Sequence, residues 1–259
     1  MSGTKEHFLD RFAERFQKAG FAALVFDHRY WGASDGLPRH HTNHYEQTQD
    51  THDVIYHASR RPDVDPTRIA LWGSSYSGGI AIMAGAVDPR VKAVVTQVPS
   101  VTGSTTRKRL PADVLDRIYA DRGATTTSNP TYIPVWPESL EQARTPGNGV
   151  LLGTEECWDH HQVVQRFGHE KENKITLQSM FHAIRSEPRA FICSISPRPL
   201  FMAVGAKDSI LSPQLQLEAF DQAGEPKQFL ELDCGHFGAY RSHFEENVSA
   251  QIRFLKKYL

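Results

Sequence analysis

Apolar positions along this chain fall into short continuous runs separated by stretches of helical spacing, an alternation that holds at both ends and fades in the middle. Phe8, Phe12, Phe16 and Ala19 recur at three- and four-residue intervals before Gly20, which predicts an amphipathic helix from about Lys5 to Ala19. The run Phe21-Ala22-Ala23-Leu24-Val25-Phe26 follows and ends at Asp27; its unbroken apolar character predicts a strand buried on both faces. The pattern returns with Ile69 to Trp72, a small-residue helix from about Ser75 to Ala86, and Val91 to Val98. Late in the chain come Leu200 to Val204, a helix near Pro213 to Ala223, Gln228 to Leu232, and a closing helix from about His243 to Tyr258.

Strands alternating with helices predict an α/β fold, a mainly parallel sheet flanked by helices on both faces. Between about Ser100 and Arg189 the apolar pattern weakens and Pro, Gly, Thr and charged residues accumulate, although helical stretches persist at Ala112 to Ala120 and Ile175 to Ile184. The reading is a core formed by residues 1–99 and 190–259, with 100–189 as an inserted lid or cap lobe over the carboxyl edge of the sheet, where open α/β sheets bind ligands.

Composition narrows the partners. Twenty-nine Lys and Arg stand against 30 Asp and Glu in 259 residues, so the net charge of −1 offers no field to gather nucleic acid. No apolar run approaches a bilayer span, and the residues after Met1 lack the apolar centre of a signal peptide, which predicts a cytoplasmic protein that does not enter membranes. Cys157, Cys193 and Cys234 are odd in number and widely spaced; buried free thiols are expected, not a disulfide framework or a zinc site. The clusters His40-His41-Thr42-Asn43-His44 and Asp159-His160-His161 lack an accompanying patterned ligand set and read as polar loops, so no metal and no cofactor is expected. The expected partner is a small-molecule acyl substrate, with a homodimer left open.

Gly73-Ser74-Ser75-Tyr76-Ser77-Gly78-Gly79 lies between a predicted strand and a predicted helix. A nucleophile displayed on so sharp a turn needs small residues two before and two after it, and Gly73 and Ser77 meet that need when Ser75 is central. Centring on Ser74 would put Trp72 in the crowded position, and centring on Ser77 would put the small partners inside the helix. The amide of Tyr76, at the helix start, is placed to donate to an oxyanion. Helix capping by serine is the ordinary alternative for the whole segment. Asp208 follows the strand Leu200 to Val204, and His236, flanked by Gly235 and Phe237-Gly238, follows the strand Gln228 to Leu232. The order Ser, Asp, His at three strand ends predicts a catalytic triad in which Asp208 orients His236 and His236 takes the proton of Ser75. Asp233 is the rival acid.

Thr4-Lys5-Glu6, the run Phe26 to Gly36, the serine turn, Gly205 to Asp208 and Gly235-His236-Phe237 carry a family likeness. On these residues the chain resembles the dienelactone-hydrolase-like branch of the α/β hydrolases, and within it a fungal group of polyketide thiohydrolases and polyketide acyltransferases. The resemblance implies an acyl ester, thioester or lactone substrate and no cofactor. It also implies a second oxyanion amide near Met1 or Ser2, and a strand between those matching Phe21 to Phe26 and Ile69 to Trp72. The chain starts at Met1, at about the point where that strand would end; a longer form, direct pairing of the two flanking strands, or a partner chain are the alternatives.

Tyr30 and Trp31, after a strand end, and Trp136 and Trp158, in the lobe, are candidates to line an acyl pocket, with simple packing the competing role. Three functions fit these residues: an esterase or thioesterase working through an acyl-enzyme, an acyltransferase, and a binding protein with an incomplete oxyanion hole.

Overall fold

The computed structural model describes residues 1–124, 129–166 and 172–259. Four parallel strands form the sheet in the order β1-β2-β5-β6: β1 (Ile69–Ser74), β2 (Val91–Gln97), β5 (Leu200–Gly205) and β6 (Lys227–Leu232). Helices α1 (Leu9–Lys18), α2 (His44–Ser59), α3 (Tyr76–Val87), α9 (Pro213–Gln222) and α10 (Phe244–Tyr258) accompany it.

Alternation along the strands divides the core in two. Ala93 and Val95 of β2 and Phe201 and Ala203 of β5 join Phe12 and Phe16 of α1 and Phe244, Val248 and Phe254 of α10. Val94 of β2, with Leu200, Met202 and Val204 of β5, joins Ile55 of α2, Ile82 of α3 and Ala219 of α9. Side chains two apart share a face of a strand, so this period assigns each helix to its side of the sheet. Phe201 is completely buried, and each such side chain contributes about 1.5–3 kcal/mol by leaving water.

Between β2 and β5 lie α4 (Ser104–Arg109), α5 (Ala112–Ala124), α6 (Leu140–Arg144), α7 (Glu155–Arg166) and α8 (Leu177–Ala183). A two-stranded antiparallel ribbon joins β3 (Tyr132–Ile133) to β4 (Ile175–Thr176). The helix expected from Ile175 thus begins two residues later, because the β-branched pair Ile175-Thr176 is held in register with Tyr132-Ile133.

Two other expectations need correction. The stretch Phe21 to Phe26 belongs to no strand, and Leu24 and Val25 are 45% and 37% exposed. Its apolar continuity recorded what the side chains can bury, while a strand also needs a neighbouring backbone to bond with. It does not pair with β1, whose one described partner is β2, so direct pairing of these two segments is excluded. The first helix begins at Leu9 instead of Lys5. Lys5 is held outside it: its amide and its Nζ donate to the two carboxylate oxygens of Asp27 at 2.8 and 2.6 Å.

Candidate active site

β1 turns directly into α3 at Ser75, whose backbone takes φ 54° and ψ −123°, a conformation that L-residues rarely adopt. The turn is bonded on both sides: Ser75 N–H donates to the Gln97 carbonyl at 3.0 Å, and the Ser75 carbonyl accepts from Gly78 and Ser100 at 3.0 and 2.9 Å. Tyr76 is the first residue of α3, so its amide has no acceptor within the helix and stands at the positive end of the helix dipole. Ser74 is occupied elsewhere, in a short contact with the hydroxyl of Tyr240, whose phenol is pushed up to about 12 by burial.

Asp208 lies three residues beyond the end of β5, and its two carboxylate oxygens have separate tasks. Oδ1 accepts the amides of Ile210 and Leu211, both at 2.8 Å, and Oδ2 lies 2.7 Å from Nδ1 of His236. His236 follows β6 and is 2% exposed; its Nε2 lies 2.9 Å from Ser75 Oγ. A carboxylate facing Nδ1 favours the tautomer with its proton there, which leaves Nε2 free to accept from a hydroxyl. The three residues expected to meet are therefore in hydrogen-bonding sequence at the carboxyl ends of β1, β5 and β6. Asp233, the rival acid, is turned outward and pairs with Lys207 at 2.7 Å.

Met1 packs against three apolar clusters, one containing Tyr76, one containing Phe237, and one built on Ile118, Leu177 and Met180. This brings the Met1-Ser2 segment beside the residues that follow Ser75 and His236, and Ser2 is buried there. Asp27 anchors the segment through Lys5 while its Oδ2 also accepts the Ala33 amide at 3.0 Å. That anchoring role of Asp27 was not visible in the sequence, where it simply ended an apolar run.

Trp31 and Trp136 are 6% and 4% exposed and share a cluster with Phe237, with Tyr30 packed on its edge. The Trp31 indole N–H donates to the His41 carbonyl at 2.7 Å and to Thr42 Oγ1 at 3.0 Å, and the Tyr30 hydroxyl donates to Glu46 at 3.1 Å. Trp158 is half-buried on α7, outside that cluster.

The histidine clusters are less polar in their surroundings than the sequence suggested. His44 is 2% exposed and lies with His41 beside His182 of α8, at ring separations of 6.3 and 5.4 Å. Burial lowers His44 to about 4 and His182 to about 3. His160, on α7, stacks on Phe237 at 3.7 Å and is lowered by burial to about 3, while His161 stacks on Trp136 at 5.5 Å. Among the described residues, no group of three or more His, Cys, Asp or Glu side chains is placed to hold a metal ion, and no helix is long and apolar enough to cross a membrane. Cys157 and Cys234 are buried, but Cys193 is exposed, in a 3₁₀ stretch (Pro188–Ile195) whose apolar residues alternate between core and solvent.

Residues 1–145 match the family model of serine aminopeptidase, S33. Over its whole length the chain is 31% identical to polyketide transferase ATR5 of Stachybotrys chlorohalonatus, covering 86% of that protein. It is 28% identical to thiohydrolase aneE of Aspergillus aculeatus, covering all of this chain and 83% of the relative. The crystal structure of α/β hydrolase GrgF from a Penicillium species superposes with a TM-score of 0.85 at 26% identity, covering 99% of this chain and 86% of GrgF. The parallel sheet, the serine turn between β1 and α3, and these likenesses together establish that the chain belongs to the α/β hydrolases.

Proposed function

We propose that the protein is a serine hydrolase that cleaves an acyl thioester, ester or lactone through an acyl-enzyme, with polyketide-derived acyl groups as the substrate class. The observation that carries this reading is the continuous contact from Ser75 Oγ to His236 Nε2 at 2.9 Å and from His236 Nδ1 to Asp208 Oδ2 at 2.7 Å. In this reading Ser75 Oγ attacks the acyl carbonyl as its proton passes to His236 Nε2. Asp208 steadies the imidazolium, and the amides of Tyr76 and Ser2 hold the oxyanion. Collapse of the tetrahedral intermediate expels the thiol or alcohol, which leaves with the proton from His236. Water then repeats the sequence and releases the acid. Tyr30, Trp31, Trp136 and Trp158 are proposed to shape the acyl side of the pocket. The names of the relatives support the substrate class, one being a thiohydrolase and another a polyketide transferase.

The transferase name also supports a second reading, in which an alcohol or amine in place of water accepts the acyl group. Intact-protein mass spectrometry after incubation with acyl thioesters and lactones tests both. A mass increase equal to the acyl group, absent in Ser75→Ala, is expected. Adding an acceptor alcohol then separates the two, since acyl transfer yields a new ester and hydrolysis the free acid. Turnover undiminished in Ser75→Ala would refute both readings.

A further inference from the structure

Helix α7 reaches the site with Glu156 in its first turn. Oε1 of this side chain accepts the Phe237 backbone N–H at 2.9 Å, and Oε2 accepts the Ser209 hydroxyl at 2.6 Å. Phe237 directly follows His236, and Ser209 directly follows Asp208. One carboxylate therefore spans the loop that carries the base and the loop that carries the acid. A Cβ at Gly235 would lie 2.4 Å from Oε1, so the absence of a side chain there is what admits the carboxylate. One turn along the same helix, the ring of His160 lies flat on that of Phe237, at 3.7 Å and 5°.

The other ties between the two loops are few. Ala206 N–H donates to the Leu232 carbonyl and Lys207 N–H to the Cys234 carbonyl, both at 2.9 Å, and both bonds involve residues that precede Asp208 and His236 in the chain. The Lys207–Asp233 pair is largely exposed, and such pairs hold geometry weakly. The Asp208–His236 contact is the geometry that has to be maintained. A carboxylate that accepts from both loops is the stronger kind of tie, because a charged acceptor strengthens each bond.

We propose that Glu156 is a positioning residue that holds the Asp208 loop against the His236 loop, so that its loss lowers the chemical step and leaves substrate binding intact. The proposal rests on the reading of Ser75, His236 and Asp208 as the reacting groups. Misplacement of such groups by a fraction of an ångström to 1 Å is enough to cost about tenfold to a hundredfold in rate. Glu156→Gln retains an oxygen for Phe237 N–H and offers its amide N–H to Ser209 Oγ, so it preserves both contacts.

The test combines kinetics on a short-chain nitrophenyl ester with proton NMR of the far-downfield signal of the His236–Asp208 hydrogen bond. In folded Glu156→Ala, kcat is expected to fall about tenfold to a hundredfold with KM changed less than about threefold. The downfield signal should broaden or shift, and Glu156→Gln should restore both readouts. Unchanged kcat and an unchanged signal in folded Glu156→Ala would overturn the proposal, as would a loss confined to KM. If Glu156→Ala does not fold, Ser209→Ala removes one arm of the bridge at the surface. A fall in kcat of about threefold to tenfold with a shifted signal then supports the proposal, and no change in either overturns it. The signal belongs to His236 and Asp208, so it is read equally in Ser75→Ala. Turnover that survives Ser75→Ala would defeat the hydrolase reading, while the response of the signal to Glu156 would still decide the positioning role.

Discussion

A Cβ placed on Gly73 would lie 2.2 Å from the backbone oxygen of Ser77, far inside contact distance. The end of β1 and the first turn of α3 touch at this point, and the strained backbone of Ser75 lies between them. Gly73→Ala must push helix and strand apart, at a cost of about 1–3 kcal/mol or more. Urea unfolding should show that loss. Labelling of Ser75 by a fluorophosphonate should slow by about tenfold or more as the hydroxyl leaves His236. An alanine variant with wild-type stability and labelling would contradict the packing described for this turn.

Asp208→Asn should retain the fold and lose turnover. The asparagine oxygen can still accept from the Ile210 and Leu211 amides, which leaves its NH2 group facing His236 Nδ1. The imidazole would then carry its proton on Nε2 and could not accept one from Ser75. A fall of about ten-thousandfold in kcat is expected, the size seen when the same exchange is made in a serine-protease triad. Thermal unfolding of the variant should stay within a few degrees of the parent, and kinetics that stay within tenfold would show that the tautomer is set by something other than Asp208.

Strand placement was legible in the sequence wherever the apolar run was backed by a partner. Leu200 to Val204 and Val91 to Val98 were read to within a residue or two, because strands buried on both faces are dominated by apolar residues, without a break in the first and with Lys92, Thr96 and Gln97 interrupting the second. Phe21 to Phe26 carried the same signal without the pairing, which depends on a neighbouring segment and leaves no mark in the run itself. The meeting of Ser75, Asp208 and His236 was legible through small residues, strand ends and order. Glu156 was not: a glutamate in the first turn of a helix is favourable there on its own account, so nothing distinguished it from an ordinary surface charge. His44 was likewise read as part of a polar loop, since its burial arises from α2 meeting His182 of α8 across more than a hundred residues.

Those buried histidines set how the fold responds to acid. His44, His160 and His182 are neutral in the folded protein, with values lowered from 6.5 to about 4, 3 and 3 by burial. The unfolded chain takes up protons below about pH 6.5 and the folded one does not, so the stability they confer is complete above that value and is lost as pH falls. Each contributes about 1.4 kcal/mol per pH unit between 6.5 and its folded value. Urea midpoints should therefore drop from about pH 7 to about pH 5, and His160→Phe should make the decline shallower. Equal slopes for the two proteins would show that His160 is not held neutral.

Thiol chemistry should divide the three cysteines. Burial pushes Cys157 and Cys234 up to about 11, while Cys193 is exposed. A maleimide reagent near neutral pH should modify Cys193 alone in the native protein and all three after unfolding, as peptide mapping would show. Rapid native modification of Cys234 would mean that the loop carrying His236 opens far more often than its packing allows.

Ser75 and His236 meet although 161 residues of chain separate them. During synthesis the serine turn leaves the ribosome long before β5 and β6 exist, so a growing polypeptide displays the hydroxyl with nothing to draw off its proton. On the proposed mechanism, reactivity then arrives in one late step, when the final strands dock. On that mechanism a nascent or prematurely terminated product would carry an inert serine.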